Sequence, residues 1–166
     1  KASAREIGLL ISIPGLTKAV SQLKAADITE RIGRKKIIGV GVFLQVLTWL
    51  SIILLPYFFK DNFAFYLILF VTLYALFGNI SGPAWGSIMA QYIPMSKRGH
   101  FFGWRNRIFG SVALGSVFFA GFILHLFNRK NLVGFSLIFL LAMVSRFVSW
   151  IYLLKYHEPK LRINPD

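Results

Sequence analysis

The 166-residue sequence has no cysteine and only six acidic residues. The first absence excludes disulfides and thiolate–metal chemistry, and leaves the redox compartment unreadable. The second reaches further. Glu6, Asp27, Glu30, Asp61, Glu158 and Asp166 all stand at or beyond the ends of apolar runs, so no pair of carboxylates is available for acid–base work inside one. A Ser/His/Asp set and a phosphate-binding glycine loop are also missing. His100, His125 and His157 fall near the ends of different runs, without the spacing of metal ligands. No cleavable signal peptide is visible, because the basic start Lys1 to Arg5 leads into a segment carrying Lys18 and Gln22. No catalytic residue, metal or cofactor is expected, and the chain does not read as an enzyme.

What is abundant is apolar and aromatic. Hydrophobic residues make up 56% of the chain, including 17 phenylalanines, and the mean hydropathy is +0.63. These values lie outside the range of soluble globular proteins. A formal charge of +13 in a soluble domain would suggest nucleic acid. Here the basic residues collect in turns between apolar runs, with no basic face or base-stacking module, so the expected partner is a lipid bilayer and not nucleic acid. The chain opens on Lys1 and closes on Asn164-Pro165-Asp166, and it is read as a piece of a longer protein.

A bilayer core about 30 Å thick needs about 20 mostly apolar residues per helix. Five segments meet that length: 7–26, 37–57, 64–92, 101–126 and 134–155. The expected fold class is an all-α polytopic membrane bundle, one membrane domain over residues 1–166, with short turns that make consecutive helices antiparallel. Counting basic residues by side gives twelve on one, among them Lys24, Arg31, Arg34, Lys35, Lys36, Lys97, Arg98 and Lys155, against five on the other: Lys1, Arg5, Lys60, Arg129 and Lys130. The richer side is expected to be cytoplasmic, with the N-terminus outside and the C-terminus inside. Tyr57, Phe58, Tyr66, Tyr92, Trp104, Tyr152 and Tyr156 suit interfacial belts. In the third segment, Gly78, Gly82 and Gly86 recur every four residues and Pro83 interrupts the hydrogen-bond ladder. A kink or break is expected at 79–83, beside either a close helix contact or a solute path.

Between the first two spans lies Ala26-Asp27-Ile28-Thr29-Glu30-Arg31-Ile32-Gly33-Arg34-Lys35-Lys36. Its order of charges resembles the cytoplasmic signature loop of major facilitator superfamily transporters, G-x-x-x-D-[R/K]-x-G-R-[R/K]. Arg31, Gly33, Arg34 and Lys35 match in register, while Ala26 and Glu30 stand in for the glycine and the aspartate. Two helices later, Pro94, the pair Arg98-Gly99, Phe102-Gly103 and the run Arg105-Asn106-Arg107 resemble the family's passage from its fourth helix to its fifth. There Pro94 is expected to stop one helix and Gly99 to allow the turn. The resemblance spans essentially the whole chain as helices two to six of a twelve-helix transporter, most of one six-helix half.

That resemblance implies a secondary transporter of a small solute working by alternating access, completed by the missing helices of the same chain and located in a prokaryotic cell membrane. Ala26, Glu30, Arg31, Gly33, Arg34 and Lys35 are expected to form a conformational latch in which Glu30 meets a helix N-terminus, an arginine of the opposite bundle or Arg98; the alternative is that the turn anchors topology alone. Alternatives are a non-transporting membrane scaffold or sensor, and a membrane-embedded transferase. Candidate solute-path residues are Lys18, Gln22, Asn79, Trp85, Gln91, Arg105 and Arg146. For Arg146 three roles stay open: snorkelling or bonding to backbone carbonyls, pairing with a helix outside this segment, and binding an anion. Arg105 and Arg107 suit headgroup anchoring or anion attraction. Gln45, Ser87 and Asn106 add hydrogen-bonding capacity.

Overall fold

The computed structural model describes residues 3–59, 61–127 and 132–155. Lys1, Lys60, Arg129, Lys130, Tyr156, His157, Lys160 and Arg162, which entered the charge count, the aromatic belt and the histidine survey, lie outside them. Five helices follow one another: α1 (Ala4–Ile32), α2 (Arg34–Phe58), α3 (Phe63–Tyr92), α4 (Met95–Leu126) and α5 (Leu132–Leu154). There is no strand among the described residues, as the apolar runs predict.

Four of the five, α2 to α5, are long and apolar enough to cross a membrane. α1 has the length at 29 residues, but Lys18, Gln22 and Lys24, interspersed with serine and threonine, make it more polar than the others. The expectation of five spans is therefore met by four on length and composition together. α1 opens with a capping box: the Ser3 hydroxyl accepts from the Glu6 N–H, and the Glu6 carboxylate accepts from the Ser3 N–H at 2.7 Å. Bonds from the Ser3 backbone N–H and then its hydroxyl hold the Glu6 carboxyl below its ordinary pKa.

The turns differ from the sequence expectation. Residues 27–32 are helical, and Gly33 alone separates α1 from α2. Polar, charged residues read as a loop after an apolar run, yet none of them breaks a helix. Gly33 does, at φ +93°, a conformation that a Cβ disfavours. The next turn is also tighter than expected. Ile93 and Pro94 alone interrupt the helices, and α4 begins at Met95, so Gly99 lies inside a helix and Arg105-Asn106-Arg107 fall about three turns in. The expected break at Pro83 is absent, since α3 runs unbroken from Phe63 to Tyr92. Membrane helices tolerate proline where neighbouring groups re-satisfy the freed carbonyl.

The bundle is organised around α2 and α3. Gly41, Gln45 and Trp49 of α2 meet Ser81, Gly78 and Tyr74 of α3 in descending order toward the far end, which fixes an antiparallel pair. α5 packs on α2 beside α3, where Gly39, Gln45 and Trp49 meet Trp150, Arg146 and Phe139. α1 lies along α3, while α4 touches α5 over a short stretch and reaches α3 where Arg105 stacks on Trp85. The core sits near the end where α2 starts, among Ile37, Ile38, Val42, Ala84, Ile88 and Met89. We call this end, which carries Arg31, Arg34, Lys35, Lys36 and Lys97, the basic end.

Candidate functional site

Helices α2, α3, α4 and α5 border a half-open cavity of about 320 Å³. Gly78, Ser81, Gly82 and Trp85 line it from α3, Arg105 and Phe109 from α4, Arg146 and Ser149 from α5, and Ile38 and Val42 close it from α2. At 1.5 Å per residue, Arg105 stands about 15 Å from the start of α4 and Arg146 about 12 Å from the end of α5, measured from Met95 and Leu154. The two residues therefore sit at similar depth along their helices from the basic end, and both line the cavity.

Each is held by uncharged groups. The Arg146 Nε donates to Gln45 Oε1 at 2.9 Å, and its Nη2 donates to the same oxygen. Gln45 is only 2% exposed and its own Nε2 donates to the Tyr74 carbonyl at 3.0 Å, which fixes the amide so that its oxygen faces the arginine. The Arg105 guanidinium carbon lies 4.4 Å from the ring centroids of both Trp85 and Phe109. An arginine at the centre of a membrane helix costs about 2.5–3.5 kcal/mol on insertion scales. A hydrogen bond to a charged group returns about 1.5–3 kcal/mol, and a cation–π contact about 0.5–2 kcal/mol. These partners offset the burial without cancelling the charge.

At the basic end, Ala26, Thr29, Glu30, Gly33 and Arg34 border a second hollow of about 440 Å³, closed from α3 by Pro83, Ala84 and Ser87. Glu30 and Arg31 are exposed there, as is Lys35. Arg98 is engaged elsewhere: its Nε donates to the Ile93 carbonyl at 3.1 Å, and its Nη2 to that of Ala90. It thus caps the last turn of α3, where backbone carbonyls have no helical partner.

A charged one-residue turn at the signature position and a second turn at Pro94, both at the basic end of membrane-length helices, are one pattern. The sequence model of the Major Facilitator Superfamily matches residues 1–165. The chain belongs to that superfamily. Curated proteins and solved structures give no match. Members of the superfamily are transporters of integral, multi-pass type, and α2 to α5 have the composition that contact with a bilayer requires.

Within this superfamily chain, the cavity unites three of the seven solute-path candidates, Trp85, Arg105 and Arg146. Lys18, Gln22 and Gln91 lie on exposed faces, and Asn79 is half-buried; none of these four lines the cavity. Pro94 is the residue before α4, whereas Gly99 and Gly103 sit on its open surface, where an added methyl group would meet nothing within 4 Å. Phe109, Ser81 and Ser149 were not among the candidates. Phe109 had a signal, since it follows Arg105 by one helical turn. Ser81 and Ser149 had none, because their approach depends on interhelical register.

Proposed function

We propose that this chain forms most of one half of a secondary transporter that carries a small solute by alternating access, with the basic end cytoplasmic. The observation that carries this reading is a cavity that brings two arginines and two serines together between helices that are otherwise apolar. A static scaffold has no need of such a cavity, whereas a solute path does. The sequence has no cysteine, so Ser149→Cys places a single thiol of this segment at the cavity wall. In the intact protein in proteoliposomes, that thiol is expected to react with a membrane-impermeant reagent applied from either side, in states that exclude one another. Labelling from one side only, under all conditions, would leave a scaffold or sensor.

The charged turn acts in this reading as a conformational latch. Glu30 is exposed beside Gly33, and with Arg98 occupied by carbonyls of α3, its partner is a helix N-terminus or an arginine of the opposite bundle. Such a contact, present in one state and broken in the other, biases the equilibrium by about 1–3 kcal/mol. Glu30→Gln keeps every positive charge that sets topology. It is expected to insert normally, to shift the inward/outward population by about 5- to 150-fold and to slow turnover. Unchanged turnover with unchanged thiol accessibility would assign the turn to topology alone.

Coupling to protons needs a titratable group in the path. His125 lies exposed near the far end of α4, and the carboxylates stand outside the apolar runs. His125→Ala is therefore expected to retain full proton-driven uptake if the transporter uses protons, with the carrier on another part of the protein. Loss of that uptake in a normally inserted variant would place the carrier here.

A further inference from the structure

Two guanidiniums face one cavity, and no carboxylate occurs in the sequence between Asp61 and Glu158 or between Glu30 and Asp61. No acidic side chain of α2, α3, α4 or α5 is thus available to neutralise them. Beyond Gln45 for Arg146, and the Trp85, Phe109 and Asn106 contacts of Arg105, neither guanidinium has a further partner among the described residues. The manner of their support also matters. The Arg105 guanidinium lies over the Trp85 and Phe109 rings, which attract its charge but accept no conventional hydrogen bond from its N–H donors. Arg146 spends one edge on Gln45, which keeps it in place and leaves Nη1 uncommitted.

We propose that this cavity binds a small oxyanion, a carboxylate or phosphate group, between Arg105 and Arg146. An oxyanion brings what the walls lack, negative charge on oxygens spaced to accept from a planar fork. Ser149 adds a hydroxyl at the wall, and the glycines Gly78 and Gly82 keep the α3 side shallow. The volume of about 320 Å³ lies at the small end of ligand sites. That suits inorganic phosphate or a short carboxylic acid. The same oxygens are offered by a soluble anion and by the headgroup of an anionic lipid. That the oxyanion belongs to the transported solute rests on the transport reading above; binding itself does not.

The test uses the intact protein in nanodiscs of phosphatidylcholine, titrated calorimetrically with inorganic phosphate and, separately, with succinate. A parallel sample is purified from membranes containing phosphatidylglycerol, and its retained lipid is identified by mass spectrometry. The expected result is saturable binding of phosphate or succinate, weakened about tenfold or more in R105Q and in R146Q, since each removes one charged fork. R105K and R146K keep the charge and guard against misfolding, and they are expected to bind with intermediate affinity. A lipid source shows instead as phosphatidylglycerol kept by the wild-type protein and lost from both glutamine variants. Absence of any bound anion, or binding that survives both substitutions, overturns the proposal. Alternating thiol labelling without anion binding would remove this proposal and leave the transporter. One-sided labelling with arginine-dependent binding would do the reverse.

Discussion

Gly41→Ala is expected to destabilise the protein by about 1–3 kcal/mol, the usual result of overpacking a tight contact. A Cβ at Gly41 would fall 1.9 Å from the Ser81 hydroxyl oxygen and 3.1 Å from the Phe77 carbonyl. The hydroxyl could rotate away only by giving up its 2.8 Å bond to that same carbonyl, and the backbone oxygen cannot move without shifting α3. The matched controls are Gly82→Ala and Gly86→Ala, where nothing lies within 4 Å of the new carbon. Those two are expected to be neutral or slightly stabilising, because alanine favours a helix over glycine by about 0.5–1 kcal/mol. Thermal unfolding of the intact protein in detergent checks the contrast. Ser81→Gly added to Gly41→Ala should recover much of the loss, and equal effects at all three glycines would show that α2 and α3 do not meet this closely.

Gln45→Leu is expected to cost about 1.5–3 kcal/mol, the range for a hydrogen bond to a charged group. The substitution leaves the Arg146 guanidinium without its acceptor and the Tyr74 carbonyl without its side-chain donor. Interhelical hydrogen bonds in membranes contribute about 0.6 kcal/mol on average, and the larger figure is expected here because the donor is a charged guanidinium. Arg146→Leu on its own removes the charge together with its burial cost, and leaves only an amide oxygen to re-pair. The double variant is therefore expected to be more stable than the sum of the two single losses predicts, since the uncompensated charge of Gln45→Leu is gone. Simple additivity in unfolding measurements would mean that the pair is not coupled.

The helices were legible because apolar runs of membrane length admit few other structures. Their ends were not. Asp27 to Ile32 and Met95 to His100 read as turns by polarity, yet they continue as helix until a residue intervenes that physically interrupts it, Gly33 in one case and Pro94 in the other. Inside a helix proline did not mark an end, as α3 passes through Pro83 without a break. The glycine repeat was half informative. Gly78 does stand in a close contact, with Gln45 Nε2 2.6 Å from where a Cβ would stand, but Gly82 and Gly86 face open space, and the tightest approach falls at Gly41.

At the site, Trp85, Arg105 and Arg146 could be named from sequence because a charge or a tryptophan within an apolar run is conspicuous. Gln45 was visible only as generic hydrogen-bonding capacity. Its pairing with a residue 101 positions away follows from the register of α2 against α5, which no local pattern encodes. Lys18 lies apart from this cavity for a related reason: α1 packs mainly on α3, and none of its residues borders the cavity.

Gly33 has a mechanical meaning beyond its backbone angle. It is the sole joint between two rods, one of 29 residues and one of 25, and it offers two soft torsions where an ordinary loop offers many. The rods rest mainly on α3 and scarcely on each other. At 1.5 Å per residue the longer one measures about 44 Å, so a swing of about 10° at the joint sweeps its distant tip through about 8 Å. A small torsional change at the charged end would thus be magnified at the distant end of α1 wherever its packing on α3 gives way, with no helix unwinding along the way.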